Sequence, residues 1–214
     1  MQPIADIRRD YKLKSFEETA AANNPFDQFT IWWEEAINSS IDEVNAMTLA
    51  TVNSEGKPAA RTVLLKGYTR EGLIFFTNYN SAKGKDILEN PNVALLFFWK
   101  ELERQVRVEG VVEKISPAES DAYFNSRPVG SRLGAWASPQ SEIIPNRQYL
   151  EDRFQQITAQ YPEAEKLERP VYWGGYIVKP NRFEFWQGRS SRLHDRILYN
   201  RIMPEEWKRD RMAP

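Results

Sequence analysis

The chain has 214 residues, of which 41% are apolar and 28% charged, and its formal net charge is −1. This balance is ordinary for a globular protein and lacks the overall basic field of nucleic-acid-binding proteins, so no nucleic-acid partner is expected. Cysteine is absent and histidine occurs once, which excludes disulfides, thiolate catalysis and cysteine-ligated or multi-histidine metal sites within the chain. We expect no metal.

The amino-terminal region is polar and mixed in charge, with R8-R-D-Y11 as its one concentrated feature. It lacks the apolar core of a signal peptide, and no later apolar run approaches the ~18 residues of a membrane helix. We therefore expect a cytoplasmic protein without a membrane partner. We expect residues 1–24 to form a mobile arm and residues 25–214 to form one domain.

The first regular element is predicted to be a helix that starts at Pro25, because apolar residues follow at helical spacing from Phe29 to Ile37. Runs separated by turn signals then predict strands over 46–53, 60–68, 73–78, 93–99 and 105–115. Between the third and fourth of these strands, Ser81 is positioned to cap a short helix that ends near Leu88.

Beyond residue 115 the pattern predicts two helices and three strands. Ser116 and Glu119 form a capping box that opens a helix to about Ser126, and a second helix is expected over 147–161. Strands are expected over 171–178, 181–186 and 191–199. Because the strands follow one another closely, the fold class is mainly β with flanking helices (α+β), antiparallel, as a closed or half-closed barrel.

Two basic residues of the 60–68 strand indicate possible anion sites. Alternation places Arg61 and Lys66 on opposite faces, about 16 Å apart at ~3.3 Å per residue. They are therefore either solvated or serve two separate anionic groups. Lys83 and Lys85, at the start of the next helix, are a weaker signal of the same kind.

A second cluster suits a phosphate group. Tyr123 and Arg127 lie four residues apart on one helix face, and Ser131 follows at the end of a loop. Two hydroxyls and a planar guanidinium fork are good phosphate donors. An ordinary tyrosine–arginine contact is the alternative.

The only histidine lies in R192-L-H-D-R196. In a strand, Arg192, His194 and Arg196 share one face, and two flanking guanidiniums disfavour protonation of the imidazole. We therefore expect His194 to be mainly neutral near pH 7 and to face an anionic or electron-rich ligand rather than a core. Asp195, on the other face, has no explanation unless it pairs with a neighbouring chain or loop.

Together, these segments resemble the pyridoxamine/pyridoxine 5′-phosphate oxidase family over nearly the full length. The resemblance rests on R8-R-D-Y11, R61-T-V-L-L-K66, F76-T-N, L102-E-R-Q-V, Y123-F-N-S-R-P-V-G-S131, G134-A-W-A-S-P-Q-S141, W173-G-G-Y, F185-W-Q-G, R192-L-H-D-R196 and the ending W207-K-R-D-R-M-A-P214. One position departs from it, because Ala82 stands where the family often has an arginine before the lysine that matches Lys83.

The resemblance implies an antiparallel FMN-binding split β-barrel that works as a homodimer, with FMN at the subunit interface. The residues that it assigns to FMN are Arg61, Thr62, Val63, Leu64, Leu65, Lys66, Phe76, Thr77, Lys83, Gln105, Gln140, Ser141, Trp186 and Arg196. Those that it assigns to the substrate are Arg8, Arg9, Asp10, Tyr11, Lys66, Tyr123, Arg127, Ser131, Arg192, Leu193 and His194, with Arg192 and His194 also as catalytic residues.

The implied reaction, a step of vitamin B6 biosynthesis and salvage, oxidises pyridoxamine or pyridoxine 5′-phosphate to pyridoxal 5′-phosphate. Hydride passes from C4′ to flavin N5, and O2 reoxidises the flavin to give H2O2. The alternatives are a split-barrel flavoprotein with another substrate, such as a flavin reductase, and a non-catalytic carrier of FMN or pyridoxal phosphate. Tyr123, Arg127 and Ser131, together with R192-L-H, favour the oxidase over both.

Overall fold

The computed structural model describes residues 3–7, 9–163 and 166–214. Its helices are α1 (Pro25–Ile37), α2 (Ala82–Glu89), α3 (Pro117–Ser126), α4 (Val129–Ala137) and α5 (Arg147–Gln160). Its strands are β1 (Ala46–Val52), β2 (Pro58–Leu64), β3 (Gly67–Thr69), β4 (Gly72–Asn78), β5 (Asn92–Trp99), β6 (Arg104–Lys114), β7 (Trp173–Gln187), β8 (Asp195–Met203) and β9 (Glu206–Met212). None of the described helices is long and apolar enough to cross a membrane.

The helix starts follow local capping chemistry. The Ser81 side chain accepts a hydrogen bond from the Gly84 N–H at the start of α2. At α3, Ser116 and Glu119 form the reciprocal capping box expected from the sequence. These bonds satisfy N–H groups that have no partner within the helix, and they fix where each helix begins.

The strands form a sheet in the order β2-β1-β5-β6-β7-β4-β3, and β8 pairs with both β7 and β9. The β3–β4, β4–β7, β7–β8 and β8–β9 pairs are all antiparallel. Within the described residues, the two end strands of this order, β2 and β3, do not pair with each other, so the sheet is not closed. The expected antiparallel, mainly β fold with flanking helices is confirmed, whereas a closed barrel is wrong.

The chain divides into two compact units. Unit 1 contains Met1–Leu49, Ala94–Gly110 and Pro180–Pro214, and unit 2 contains Ala50–Val93 and Val111–Lys179. The core of unit 1 is rich in aromatic side chains: Phe29, Trp32, Phe97, Trp99, Phe183, Phe185 and Tyr199. Unit 2 buries Leu73, Phe75, Phe124, Tyr176 and Val178. The separate arm of residues 1–24 and the single domain of residues 25–214 stay predictions.

Three sequence predictions about the elements after residue 126 were wrong. The strands expected over 171–178 and 181–186 are one strand, β7, which begins at Trp173, and Val129, Gly130 and Ser131 lie in α4 rather than in a loop. In β7, Pro180 lies between the segments that pair with β4 and with β8, where its missing N–H costs no bond to either strand. The final strand begins only at Asp195, and β9 follows it.

Candidate functional site

A stack of three aromatic rings marks one candidate site in unit 2. The Phe76 ring lies parallel to Tyr123, with 3.8 Å between ring centroids, and 5.5 Å from Trp173. Behind the stack, a Cβ at Gly174 would lie 2.1 Å from the Tyr79 hydroxyl, and one at Gly175 would lie 2.8 Å from the Phe76 ring. The two glycines of W173-G-G-Y are therefore required for this packing, because any side chain there would displace a ring.

Arg127 lies against the same stack. Its guanidinium carbon is 4.6 Å from the centre of the Trp173 ring, and burial lowers its pKa. Within the described ranges, its buried Nη1 has no hydrogen-bond partner. A buried guanidinium nitrogen without an acceptor is costly, so the position is suited to an incoming anion.

Ser131 occupies the first turn of α4, exposed, with its N–H donating to the Pro128 carbonyl. The expectation that Ser131 ends a loop is therefore wrong, although Ser131 does lie only four residues after Arg127 in the sequence. The first turn of a helix carries N–H groups that favour anions, so the serine lies in a setting compatible with phosphate.

A second cluster of unit 2 pairs Arg61 on β2 with Lys83 on α2. Arg61 donates to the Thr51 hydroxyl over 2.6 Å and lies 3.5 Å from an Asp86 carboxylate oxygen, which fixes its position. Burial and the nearby Arg61 charge lower the pKa of Lys83. An anion between these two cations would relieve their repulsion.

Gln140 extends this cluster. Its side-chain oxygen accepts a hydrogen bond from the Thr77 hydroxyl over 3.2 Å and one from Lys83 Nζ over 3.4 Å. The next residue, Ser141, has a left-handed backbone with φ of 73°. The structure thus brings Thr77, Lys83 and Gln140 together from three separate segments.

The strand that carries Arg61 ends earlier than predicted. β2 stops at Leu64, Leu65 is buried, and Lys66 is exposed with its N–H donating to the Ile74 carbonyl before β3 starts at Gly67. Strand alternation therefore does not extend from Arg61 to Lys66, and the prediction of one strand over 60–68 is wrong. Thr62 is exposed and Val63 and Leu64 are half-buried within β2.

In unit 1, the segment around the histidine is a turn rather than a strand. Ser190–Arg192 is one turn of 3-10 helix, in which Ser191 and Arg192 have left-handed φ values of 55° and 61°. Leu193 and Arg192 are exposed, and β8 begins only at Asp195. The prediction that Arg192, His194 and Arg196 share one strand face is therefore wrong.

The position of His194 is set by a main-chain bond and two rings. Its Nδ1 accepts a hydrogen bond from the Arg189 N–H over 3.1 Å, so the neutral ring carries its proton on Nε2. Its centroid lies 4.6 Å from Trp186 and 5.9 Å from Tyr11. Burial, and then the Arg192 charge, lower the pKa of His194 against the opposing effect of Asp195.

A cavity of about 560 Å³ adjoins His194 within unit 1. The side chains that surround it come from the amino-terminal segment and from the turn before β8: Ile7, Arg9, Asp10, Tyr11, Arg189, Ser191, Arg192 and His194. Arg8, also predicted for the substrate site, lies outside the described residues. The size suits a small molecule, and three guanidiniums at the wall favour an anionic one.

Arg196 and His194 have different hydrogen-bond partners. It forms two bonds to one Glu184 oxygen, of 2.8 and 2.7 Å, and donates to the Ala213 carbonyl. Gln105 is half-buried on β6, in the same unit. Asp195, unexplained in the sequence, accepts hydrogen bonds from the Phe16 N–H, Arg189 and Arg211. Burial raises the pKa of Asp195, but these hydrogen bonds together outweigh burial and lower it.

Sequence reasoning missed Arg189 and Trp173 as parts of these clusters. Trp173 was visible within W173-G-G-Y, and its ring stacks on the predicted Phe76 and Tyr123. Arg189 gave no signal, because its role depends on a main-chain N–H that reaches His194.

The open antiparallel sheet with flanking helices matches the fold of pyridoxamine 5′-phosphate oxidase-like flavin-binding proteins. A crystal structure of PhzG from Burkholderia lata 383, in complex with tetrahydrophenazine-1-carboxylic acid, is similar with a TM-score of 0.88 and 27% identity, covering 96% of this chain and 100% of that one. A pyridoxamine 5′-phosphate oxidase-related FMN-binding protein from Nostoc punctiforme PCC 73102 shares the fold, with a TM-score of 0.69, 22% identity and coverage of 90% and 100%.

Two family models match the sequence: pyridoxamine 5′-phosphate oxidase over residues 33–161, and the pyridoxine 5′-phosphate oxidase C-terminal dimerisation region over residues 173–214. Proteins named pyridoxine/pyridoxamine 5′-phosphate oxidase are 53% identical in Trichormus variabilis, over 99% of this chain and 98% of that one, and 56% identical in Bordetella pertussis, over 99% of both. The chain belongs to the pyridoxine/pyridoxamine 5′-phosphate oxidase family.

Proposed function

We propose that the protein is a homodimeric FMN enzyme that oxidises pyridoxamine and pyridoxine 5′-phosphates to pyridoxal 5′-phosphate. The observation that carries the proposal is the half-buried Arg127 guanidinium, which lies against an aromatic stack and whose buried Nη1 has no acceptor among the described residues. A phosphorylated pyridine supplies both an anion for the guanidinium and a flat ring. The names of relatives more than 50% identical support this choice, and the match to a dimerisation region supports the dimer. We assign FMN to the interface between the two subunits.

The residues present in unit 2 fit FMN. Arg61 and Lys83 form a cation pair suited to its phosphate, and Thr77 and Gln140 offer a hydroxyl and an amide for its polar edge. The other residues that we assign to this cofactor are Thr62, Val63, Leu64, Leu65, Lys66, Phe76, Gln105, Ser141, Trp186 and Arg196. When bound, FMN would supply the redox chemistry, as acceptor at N5 of the hydride from substrate C4′ and as donor of two electrons to O2, which gives H2O2.

The protein's own groups bind and orient the substrate. We assign the substrate phosphate to Tyr123, Arg127 and Ser131 together with Lys66, and the pyridine ring to Arg192 and His194. Because its proton is on Nε2 and its Nδ1 is already bonded, neutral His194 donates a hydrogen bond to the reacting substituent rather than removing a proton. Arg8 to Tyr11 and Leu193 would cover the ring and exclude water.

Anaerobic reduction tests the proposed function directly. The purified protein, loaded with FMN, should bleach at the flavin absorption band when pyridoxamine 5′-phosphate is added without oxygen, and admitting air should restore the colour and give H2O2. Failure to bind FMN would contradict the proposal. A protein that stays yellow with both phosphorylated substrates and with a reduced nicotinamide would be a carrier, and one that bleaches only with a reduced nicotinamide would be a flavin reductase.

Lys83 and Lys85 provide a matched pair for the cofactor site. Lys83→Ala is expected to weaken FMN binding about tenfold or more, because it removes a half-buried cation, whereas exposed Lys85→Ala should leave binding unchanged. Fluorescence titration with FMN measures both. Because the pKa of Lys83 is lowered from 10.5, Lys83 loses its charge at a lower pH than an ordinary lysine. Its contribution to FMN affinity should therefore be complete at low pH and should disappear as the pH rises through the lowered pKa. Equal affinities of the two variants would contradict this assignment.

A further inference from the structure

Glu103 combines two unfavourable features in unit 1. Its carboxylate is buried, with 3% of the side chain exposed, and its backbone is left-handed with φ of 54° at the end of the turn Lys100–Leu102. A buried charge and a left-handed residue other than glycine each cost free energy and persist only where surrounding contacts compensate. At Glu103, both the side-chain carboxylate and the main-chain carbonyl accept hydrogen bonds that offset these costs.

The carboxylate holds the amino-terminal segment. One oxygen, Oε2, accepts hydrogen bonds from the main-chain N–H groups of Lys12, at 2.9 Å, and Leu13, at 3.0 Å. The other, Oε1, lies 3.8 Å from Arg9 Nε. These contacts lie on both sides of Tyr11, whose ring meets Trp186 edge-on at 5.7 Å and approaches His194.

The main-chain carbonyl of Glu103 binds the segment that leads to Arg189, on the other side of the cavity. It accepts a hydrogen bond from the Gly188 N–H, at 2.7 Å, and another from Gln187 Nε2, at 3.2 Å. A Cβ at Gly188 would lie 2.7 Å from the Tyr11 ring, so the two held segments are in close contact. The next residue, Arg189, donates the N–H that fixes His194.

We infer that Glu103 is a positioning residue for the cavity beside His194, fixing the segment that carries Arg9 and Tyr11 on one side and the segment that leads to His194 on the other. Its effect on turnover rests on the proposed function, whereas its effect on the amino-terminal segment does not. Reactive groups must be held closely for efficient catalysis, and loss of the carboxylate removes the two main-chain hydrogen bonds that directly follow Tyr11.

Glu103→Ala isolates the carboxylate, because alanine keeps Cβ and so leaves the cost of the left-handed backbone nearly unchanged. The matched control is Glu101→Ala, which removes an exposed carboxylate from the same turn. Amide hydrogen exchange, followed by mass spectrometry of the FMN-loaded enzyme, should show exchange at Lys12 and Leu13 about tenfold faster or more in Glu103→Ala and unchanged in Glu101→Ala.

Kinetics separate positioning from a purely structural role. In Glu103→Ala the anaerobic rate of flavin reduction should fall about tenfold with FMN content unchanged. In a Tyr11→Ala background the same substitution should have little further effect, because Glu103 acts through the segment that holds Tyr11. Glu103→Gln keeps an oxygen that can accept both N–H groups, and it should restore most of the exchange protection even if Glu103→Ala folds poorly.

Faster exchange at Lys12 and Leu13, with a rate loss that disappears in the Tyr11→Ala background, would support the inference. Wild-type exchange in Glu103→Ala would overturn it, as would a rate loss that persists undiminished without Tyr11. If the wild-type protein itself reduces no flavin, the proposed function fails, and hydrogen exchange alone then decides whether Glu103 holds the segment.

Discussion

Replacing His194 with asparagine is expected to slow anaerobic flavin reduction by pyridoxamine 5′-phosphate about 100-fold while leaving FMN content unchanged. The imidazole is held by the Arg189 N–H and by the Trp186 ring, so its Nε2–H has a fixed direction that a shorter amide does not reproduce. Arg192→Leu should act in the same direction, because it removes a cation from the cavity wall. Single-turnover stopped-flow spectroscopy measures both.

Ser190→Ala is the control for these two variants, since it alters an exposed side chain of the same turn. It should reduce flavin at the wild-type rate. Wild-type rates in both His194→Asn and Arg192→Leu would refute their assignment to the reacting ring. A loss of FMN from either variant would instead assign it to the cofactor site.

Replacing Arg127 with alanine is expected to raise KM for pyridoxamine 5′-phosphate about 100-fold, with a smaller change in kcat. The reason is that the half-buried guanidinium lies against Trp173, and its buried Nη1 has no acceptor in the part of the chain that the structure describes. Steady-state oxygen consumption at varied substrate concentration gives the two constants. Arg147→Ala, which removes an exposed guanidinium from α5, should leave both unchanged.

Unphosphorylated pyridoxamine distinguishes phosphate binding from a general defect in the Arg127 variant. If the guanidinium binds the phosphate, wild type and Arg127→Ala should oxidise pyridoxamine with similarly poor efficiency. An unchanged KM for the phosphorylated substrate would remove Arg127 from the phosphate site. An equal loss with both substrates would indicate damage to the aromatic stack instead.

Elements with strong local signals could be predicted from the sequence. The capping box of Ser116 and Glu119 and the cap at Ser81 gave the starts of α3 and α2, because these hydrogen bonds join residues close in sequence. α4 was not recognised, since it has Pro128 at its cap with no side-chain hydrogen bond and contains two glycines. β7 was divided in two because Pro180 ordinarily ends a strand.

The site was predictable only where its residues are close in sequence. Helical spacing suggested that Tyr123 and Arg127 share one helix face, but α3 ends at Ser126 and Arg127 has an extended backbone. The two side chains are instead connected through Trp173, whose ring is parallel to Tyr123 and lies under the Arg127 guanidinium. By contrast, the bonds from Glu103 to Lys12 and from Asp195 to Phe16 join residues 91 and 179 positions apart. No local pattern encodes such contacts, and a strand pattern through Arg192 concealed the left-handed turn that precedes β8.

The presence of a single histidine makes this protein unusually easy to observe. Any imidazole resonance in a nitrogen NMR spectrum of the chain arises from His194, so it needs no assignment by mutagenesis. The chemical shifts of Nδ1 and Nε2 report the tautomer directly, and their change with pH reports the lowered pKa. One residue thus serves as a built-in spectroscopic probe through which cofactor loading, substrate binding and movement of Tyr11 can be followed separately.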